Sequence, residues 1–198
     1  HAQGARRIVL ARELSLEEIL AIKENMHPDM ELECFVHGAM CISYSGRCLL
    51  SGYMAGRDAN RGDCAHACRW KYHLVEEQRP GEYFAIEEDE KGTYILNSKE
   101  LCLLSHIDKL MQAGIRSFKS EGRVKSAFYV ATATRAYRRA IDAVLAGEFT
   151  QARKEELTEE LKKCSHRKFT TGFLLGKPDE KDQNYASSGY ERNYEFIG

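Results

Sequence analysis

Apolar and polar positions along the chain sketch strands and helices in turn. Arg7-Ile8-Val9-Leu10 is a short apolar run of strand type, and Ser15-Leu16-Glu17-Glu18 opens a helix. Ser15 stands as its N-cap with a glutamate three residues on, a capping box in which each side chain accepts the other's backbone N–H. Leu16, Ile19, Leu20 and Ile22 give this helix an apolar stripe that ends before Pro28. Leu32 to Val36 predicts the next strand. Tyr72 to Val75 and Tyr83 to Ile86 predict short strands framing a charged turn, and Thr93 to Leu96 predicts another, stopped by Asn97. From Ser98 to about Ala113, the spacing of Leu101, Leu104, Ile107, Leu110 and Met111 predicts a capped helix closed by Gly114. Ile115 to Lys119 predicts a strand. Helices follow from about Lys125 to Leu145, stopped by Gly147, and from Gln151 to Lys163. The tail from Phe169 is aromatic, with strand candidates at Gly172 to Leu175 and Tyr194 to Ile197.

This order is a β/α alternation, which implies an α/β fold of parallel strands joined by crossover helices. With 198 residues, 43% of them apolar and 30% charged, the chain has the composition of one globular domain rather than a disordered segment. A net charge of −1 gives no global attraction to nucleic acid or anionic lipid, so any such preference must come from a local patch. No apolar run approaches the roughly 20 residues a membrane helix needs. The opening HAQGARRIVL has neither the apolar core nor the cleavage pattern of a secretion signal, so a cytoplasmic protein is expected. The absence of an initiator Met suits a fragment, a tag or processing.

The most informative chemistry lies between Glu33 and Trp70. Cys41, Cys48, Cys64 and Cys68, four of the seven cysteines, fall among glycines 38, 46, 52, 56 and 62. Spacings of seven, sixteen and four suit neither one helix nor one strand, but a folded loop brings such residues to one centre. Zinc knuckles pair ligands as C-x2-4-C, which Cys64 and Cys68 fit and Cys41 and Cys48 do not; iron–sulfur spacings vary more. Four buried free thiols are the plain alternative. Disulfides are disfavoured by the odd cysteine count and the lack of a signal peptide.

Glu33-Cys34-Phe35-Val36-His37-Gly38-Ala39-Met40-Cys41, running on to Gly46-Arg47-Cys48-Leu49-Leu50-Ser51, resembles the signature of the peptidase U32 family, the collagenase-like proteins. The likeness continues through Asn60-Arg61-Gly62, Cys64 and Ala67-Cys68-Arg69-Trp70. It resumes at Arg79-Pro80-Gly81-Glu82-Tyr83, Tyr94 to Lys99, Glu121-Gly122-Arg123 and Tyr137-Arg138. Ser120 departs from it, since relatives usually carry an aliphatic residue there.

The resemblance implies a TIM-like (β/α)8 barrel. Such a barrel needs roughly 250 residues, so this chain is expected to supply its second half, with a cysteine-rich loop insertion and a small C-terminal extension. On that reading residues 1–146 are the C-terminal half barrel, including the cysteine loop 38–70, and 147–198 the extension. Arg7–Leu10 then forms an open sheet edge, and the missing N-terminal half of the barrel is a partner.

The resemblance also implies a 4Fe-4S cluster on Cys41, Cys48, Cys64 and Cys68, with zinc as the occupant in aerobically prepared protein. Cys102 has a competing claim as a ligand, set against its place on an apolar helix face; Cys34 reads as core and Cys164 as incidental in a polar tail. Residues after the predicted strands sit where such barrels carry their chemistry. Glu13, His37, Glu121 and Arg123 are the candidate catalytic groups, each weighed against an ordinary ion pair or hydrogen-bonding role. Seven basic residues against one acid between Arg116 and Arg139, with Phe128, Tyr129 and Tyr137 interleaved, suggest an RNA surface or else a solvated helix face. Arg61, Arg69, Lys119 and Lys125 are the candidate RNA contacts. The implied activity is RNA hydroxylation of the tRNA uridine type, with prephenate as co-substrate, tRNA or rRNA as partner, and a paralogous U32 subunit as a further one. Relatives that hydroxylate a quinone precursor offer a small aromatic substrate instead. The alternatives are a collagenase-like peptidase, for which neither His-Glu-x-x-His nor Gly-x-Ser-x-Gly is present, and a non-catalytic zinc scaffold.

Overall fold

The computed structural model describes residues 1–41, 44, 46–70, 73–74, 84–85, 99–123 and 125–177. Elements run β1 (Arg7–Val9), α1 (Leu16–Asn25), β2 (Glu31–Ala39), α2 (Leu50–Ala55), β3 (His73–Leu74), β4 (Phe84–Ala85), β5 (Glu100–Cys102), α3 (Ile107–Gln112), β6 (Ile115–Ser120), α4 (Ala127–Ala146), α5 (Gln151–Leu161) and β7 (Phe169–Thr170). Of the described residues, those up to Met40 and those from Lys99 to Lys177 form one compact unit; those between Cys41 and Ser98 belong to another.

In the first unit β2 is the hub of a mixed sheet. It pairs in parallel with β1 through Arg7↔Glu31 to Val9↔Glu33, and in parallel with β6 from Leu32↔Ile115 to His37↔Ser120. Its last three residues pair antiparallel with β5, and β5 pairs in parallel with β7. Alternate side chains of β2 (Leu32, Cys34, Val36) enter the core, as the period of a strand requires. They join Leu104, Ile107, Leu110 and Leu157, each essentially inaccessible to solvent. Truncating a core residue of this kind to alanine typically costs about 2–5 kcal/mol.

Local chemistry explains the helices. The Ser15–Glu18 capping box closes the start of α1. In α4, Ser126 caps the first turn, and Gly147 ends the helix with φ at 73°, a conformation costly for residues with a Cβ. Ala133, Ala136, Ala140 and Ala143 line the buried face of α4 and let it pack closely, while Arg135 and Arg139 reach Glu160 on α5 at 2.6 and 2.7 Å.

Three sequence expectations are overturned. The expected helix over 98–113 is a strand at Glu100–Cys102, a short 3-10 turn and the six-residue α3. Helical spacing of the leucines is real, but the backbone of 100–102 is claimed on both sides by β2 and β7, and long-range pairing outweighs local pattern. Cys102 therefore lies on a strand. Gly172 to Leu175 is a turn rather than a strand: Gly172 has φ of 57°, and the Leu174 carbonyl accepts the Leu16 N–H at 2.9 Å. Cys164, expected in a polar tail, is buried beyond α5. The strand candidates at 93–96 and 194–197, and Ser98 as a cap, lie outside the described residues.

One glycine places the end of β6. Gly38 has φ of 105°, and a Cβ there would stand 2.3 Å from the Glu121 carbonyl oxygen. The bulge in β2 beside it lets the Glu121 N–H reach the His37 carbonyl at 2.9 Å. Consecutive polar residues of β2 and β6 are thereby fixed side by side.

Candidate functional site

At this end of β2 the His37 side chain is almost wholly buried, at 1% exposure. Tyr129, Tyr137 and Phe169 surround its ring, with centroids 5.5, 5.4 and 5.8 Å away. The Tyr137 hydroxyl lies 3.4 Å from Nδ1, donates to the Val36 carbonyl at 2.6 Å and accepts the Leu103 N–H at 3.1 Å. Burial lowers the His37 pKa to about 4, so the imidazole is neutral at physiological pH.

Beside it stands a buried ion pair. Lys125 Nζ reaches the Glu100 carboxylate at 3.0 Å, the Arg167 N–H donates to the same group at 3.1 Å, and the Tyr129 hydroxyl donates to it as well. Burial pushes the Glu100 carboxyl upward, but Lys125 and the two further donors outweigh it and hold the group below its ordinary value. Burial first, and then the charge of Glu100, raises the Tyr129 phenol far above the usual range. His166, 1% exposed, stacks on Phe169 at 4.4 Å; its Nδ1 meets the Arg167 carbonyl at 2.7 Å, while Nε2 has no described partner.

At the end of β6, Glu121 is buried and its Oε1 accepts the Arg123 backbone N–H at 2.9 Å and Nε–H at 3.3 Å. His37, Glu121 and Arg123 are thus brought to neighbouring strand ends. Glu13 is half-buried in the turn between β1 and α1. Lys125, expected on a surface, is inside the fold, and Lys119 sits 3.8 Å from Glu33 and 5.0 Å above the Phe35 ring. Much of the basic stripe is answered by acids from elsewhere: Arg135 and Arg139 by α5, and Arg138 by Asp142. Of its aromatics, Tyr129 and Tyr137 are core and Phe128 is exposed.

Glu100, His166 and Arg167 were not singled out in the sequence as site residues, and Tyr129 and Tyr137 were noted only as aromatics of the suggested RNA surface. Glu100 carried a usable signal, a carboxylate heading the run Glu100-Leu101-Cys102-Leu103-Leu104, since a buried acid requires a cation. Ser165-His166-Arg167-Lys168 reads as a solvated loop and carried none.

The four loop cysteines belong to the second unit and the other three to the first. Burial pushes Cys34 up to about 12 and Cys102 up to about 11, and also raises Cys164, so these remain protonated thiols. Cys48, Cys64 and Cys68 are half-buried and Cys41 is exposed. The Cys64 Sγ accepts the His66 N–H at 3.3 Å, a contact suited to a thiolate ligand. Around it, Ser51 accepts the Ala65 N–H at 2.9 Å, and Arg57 binds Asp63 at 2.6 Å. His66, with φ of 55°, makes the tight turn before the 3-10 segment Ala67–Arg69. Arg61 is 86% exposed; the Arg69 side chain lies outside the description.

Thiolates on a single zinc stand roughly 3.8 Å apart, as tetrahedral bonds of about 2.3 Å require. Among the described residues, the set of three candidate ligand atoms within 4.8 Å of one another is His1, His27 and Asp29, all exposed, rather than the loop thiols. A cubane cluster binds its thiolates through separate irons and so holds them farther apart.

No described helix is long and apolar enough to cross a membrane. The chain is 42% identical over 236 residues to tRNA hydroxylation protein P of Escherichia coli, covering 98% of this chain and 51% of the relative. It is 42% identical over 142 residues to a 23S rRNA 5-hydroxycytidine synthase of the same organism, covering 72% of this chain and 20% of the relative. A collagenase of Porphyromonas gingivalis is 34% identical over 208 residues, covering 100% of this chain and 49% of the relative. The chain therefore spans about half the length of the first and third of these. No solved structure matches. Residues 1–184 match the model of peptidase family U32, and with identity of this order over nearly the whole sequence, the chain belongs to that family.

Proposed function

We propose that this chain is the C-terminal half of a TIM-like barrel enzyme that hydroxylates RNA, of the tRNA uridine 5-hydroxylation type, and that the cysteine unit carries a 4Fe-4S cluster. The observation that carries this reading is the 42% identity, across 98% of the chain, to a protein named for tRNA hydroxylation. The donor set fits the cluster: four thiols of one unit, none sealed in apolar core, one already accepting an N–H. Cys41, Cys48, Cys64 and Cys68 would hold it, and when bound it supplies a one-electron redox couple.

The chain's own residues then divide the remaining work. His37, kept neutral by burial, has an unprotonated ring nitrogen to offer as a hydrogen-bond acceptor. Arg123 clamps Glu121, so that carboxylate keeps one orientation. The guanidinium of Arg123, 43% exposed, suits an anion, either an RNA phosphate or the carboxylates of a prephenate-like co-substrate. Arg61, extended into solvent, suits a backbone phosphate.

The test uses the full-length protein, purified without oxygen, and tRNA from cells lacking the gene. Wild type should contain iron and sulfide and restore the hydroxylated uridine, as read by nucleoside mass spectrometry. Cys41→Ala should lose both. Zinc in place of iron with hydroxylation intact in Cys41→Ala, or gelatin cleavage with no effect on tRNA, would overturn the reading.

A further inference from the structure

A tyrosine hydroxyl has one proton to give and two lone pairs to accept with. Around Tyr137 these are accounted for one by one. The Val36 carbonyl, an acceptor only, lies closest at 2.6 Å and takes the proton. The Leu103 N–H, a donor only, occupies one lone pair at 3.1 Å. The remaining lone pair faces His37 Nδ1 at 3.4 Å. Were that nitrogen unprotonated, two lone pairs would oppose each other in a dry site, where such a mismatch costs most. The contact is favourable only if Nδ1 carries the hydrogen.

No other described hydroxyl competes for the ring. Tyr129, the second phenol beside it, donates its proton to Glu100. Cys102 Sγ, at 3.9 Å from the Tyr137 oxygen, is too distant to take the proton from Val36. The three aromatic neighbours leave the imidazole little room to flip and exchange its two nitrogens.

We infer that Tyr137 is a positioning residue that holds His37 as the Nδ1–H tautomer and leaves Nε2 as the basic nitrogen. The hydroxyl joins three elements: it rises from α4, bonds the backbone of β2 and receives the N–H that follows β5. The imidazole tautomer is thus set by how helix and strands pack. The use of Nε2 in catalysis rests on the hydroxylation reading above; the tautomer itself does not.

The experiment is a long-range proton–nitrogen NMR spectrum of the full-length protein labelled with 15N in histidine, with the His37 signals assigned through His37→Gln. Wild type at neutral pH should show a protonated Nδ1 and an unprotonated Nε2. Tyr137→Phe removes the hydroxyl and keeps the ring; it should shift His37 toward the Nε2–H form. It should also lower kcat for tRNA hydroxylation about tenfold or more with KM unchanged, as expected when a base must first change tautomer. An Nε2–H tautomer in wild type overturns the inference even if the variant fails to fold. A Tyr137→Phe spectrum like wild type overturns it too, and an altered tautomer with undiminished kcat overturns the use of Nε2 in catalysis while the tautomer assignment stands. Should wild type show the Nδ1–H tautomer yet hydroxylate no RNA, the tautomer stands and the hydroxylation reading falls.

Discussion

His37 makes the protein's stability depend on acid in a predictable direction. Its ordinary pKa of 6.5 falls to about 4 in the fold, chiefly through burial. The unfolded chain therefore binds this proton first, and protonation favours unfolding. The contribution is fully present above about pH 6.5 and is lost as pH falls toward 4, amounting to roughly 3 kcal/mol. Three charged or titratable groups face the ring: Glu100 works against the shift, while Lys125 and His166 add to it. Urea unfolding at pH 7 and at about pH 4.5 should show a large loss for wild type and a smaller one for His37→Gln; equal losses would assign the effect elsewhere.

Among the elements, two ion pairs of similar geometry should behave very differently. Lys125 ties the start of α4 to β5 through Glu100, with side chains 9% and 1% exposed, whereas Arg138 and Asp142 pair on the outer face of α4 at 56% and 62%. Lys125→Met leaves a carboxylate buried without its cation and should cost about 3–5 kcal/mol. Arg138→Met should change stability by about 0.5 kcal/mol or less. Chemical denaturation of both variants checks this, and comparable losses would mean that the inner pair is solvated. The same contrast shows where sequence reading stops. α1, α4 and α5 were legible because caps, glycine stops and helical spacing are local, as with Ser15, Gly147 and the Gln151 helix. β5 was not, because its pairing partners lie sixty or more residues away. His37, Glu121 and Arg123 were expected to follow strands; Glu121 and Arg123 do follow β6, whereas β2 runs on to Ala39 and takes His37 into the strand. Lys125 was placed on the surface because nothing nearby in sequence announces Glu100 as its partner.

At the scale of the molecule, β1 is the outermost strand of its sheet among the described residues, and Ile8 and Val9 are each 45% exposed. An unpaired, apolar edge invites another strand. This chain expressed by itself should self-associate with rising concentration in sedimentation velocity, and Val9→Lys should suppress that association. A wild-type chain that stays monomeric would show the edge to be protected.

The pairing of Ala39 with Glu100 has a consequence of another kind. The long excursion that holds the four loop cysteines leaves and rejoins the sheet on facing rungs, so its stem is closed as in a hairpin. Lengthening or shortening what hangs from such a stem changes closure entropy by only about 0.6 kcal/mol per doubling. The excursion behaves as an exchangeable cartridge: insertions or trimming within it should leave the sheet's own register untouched.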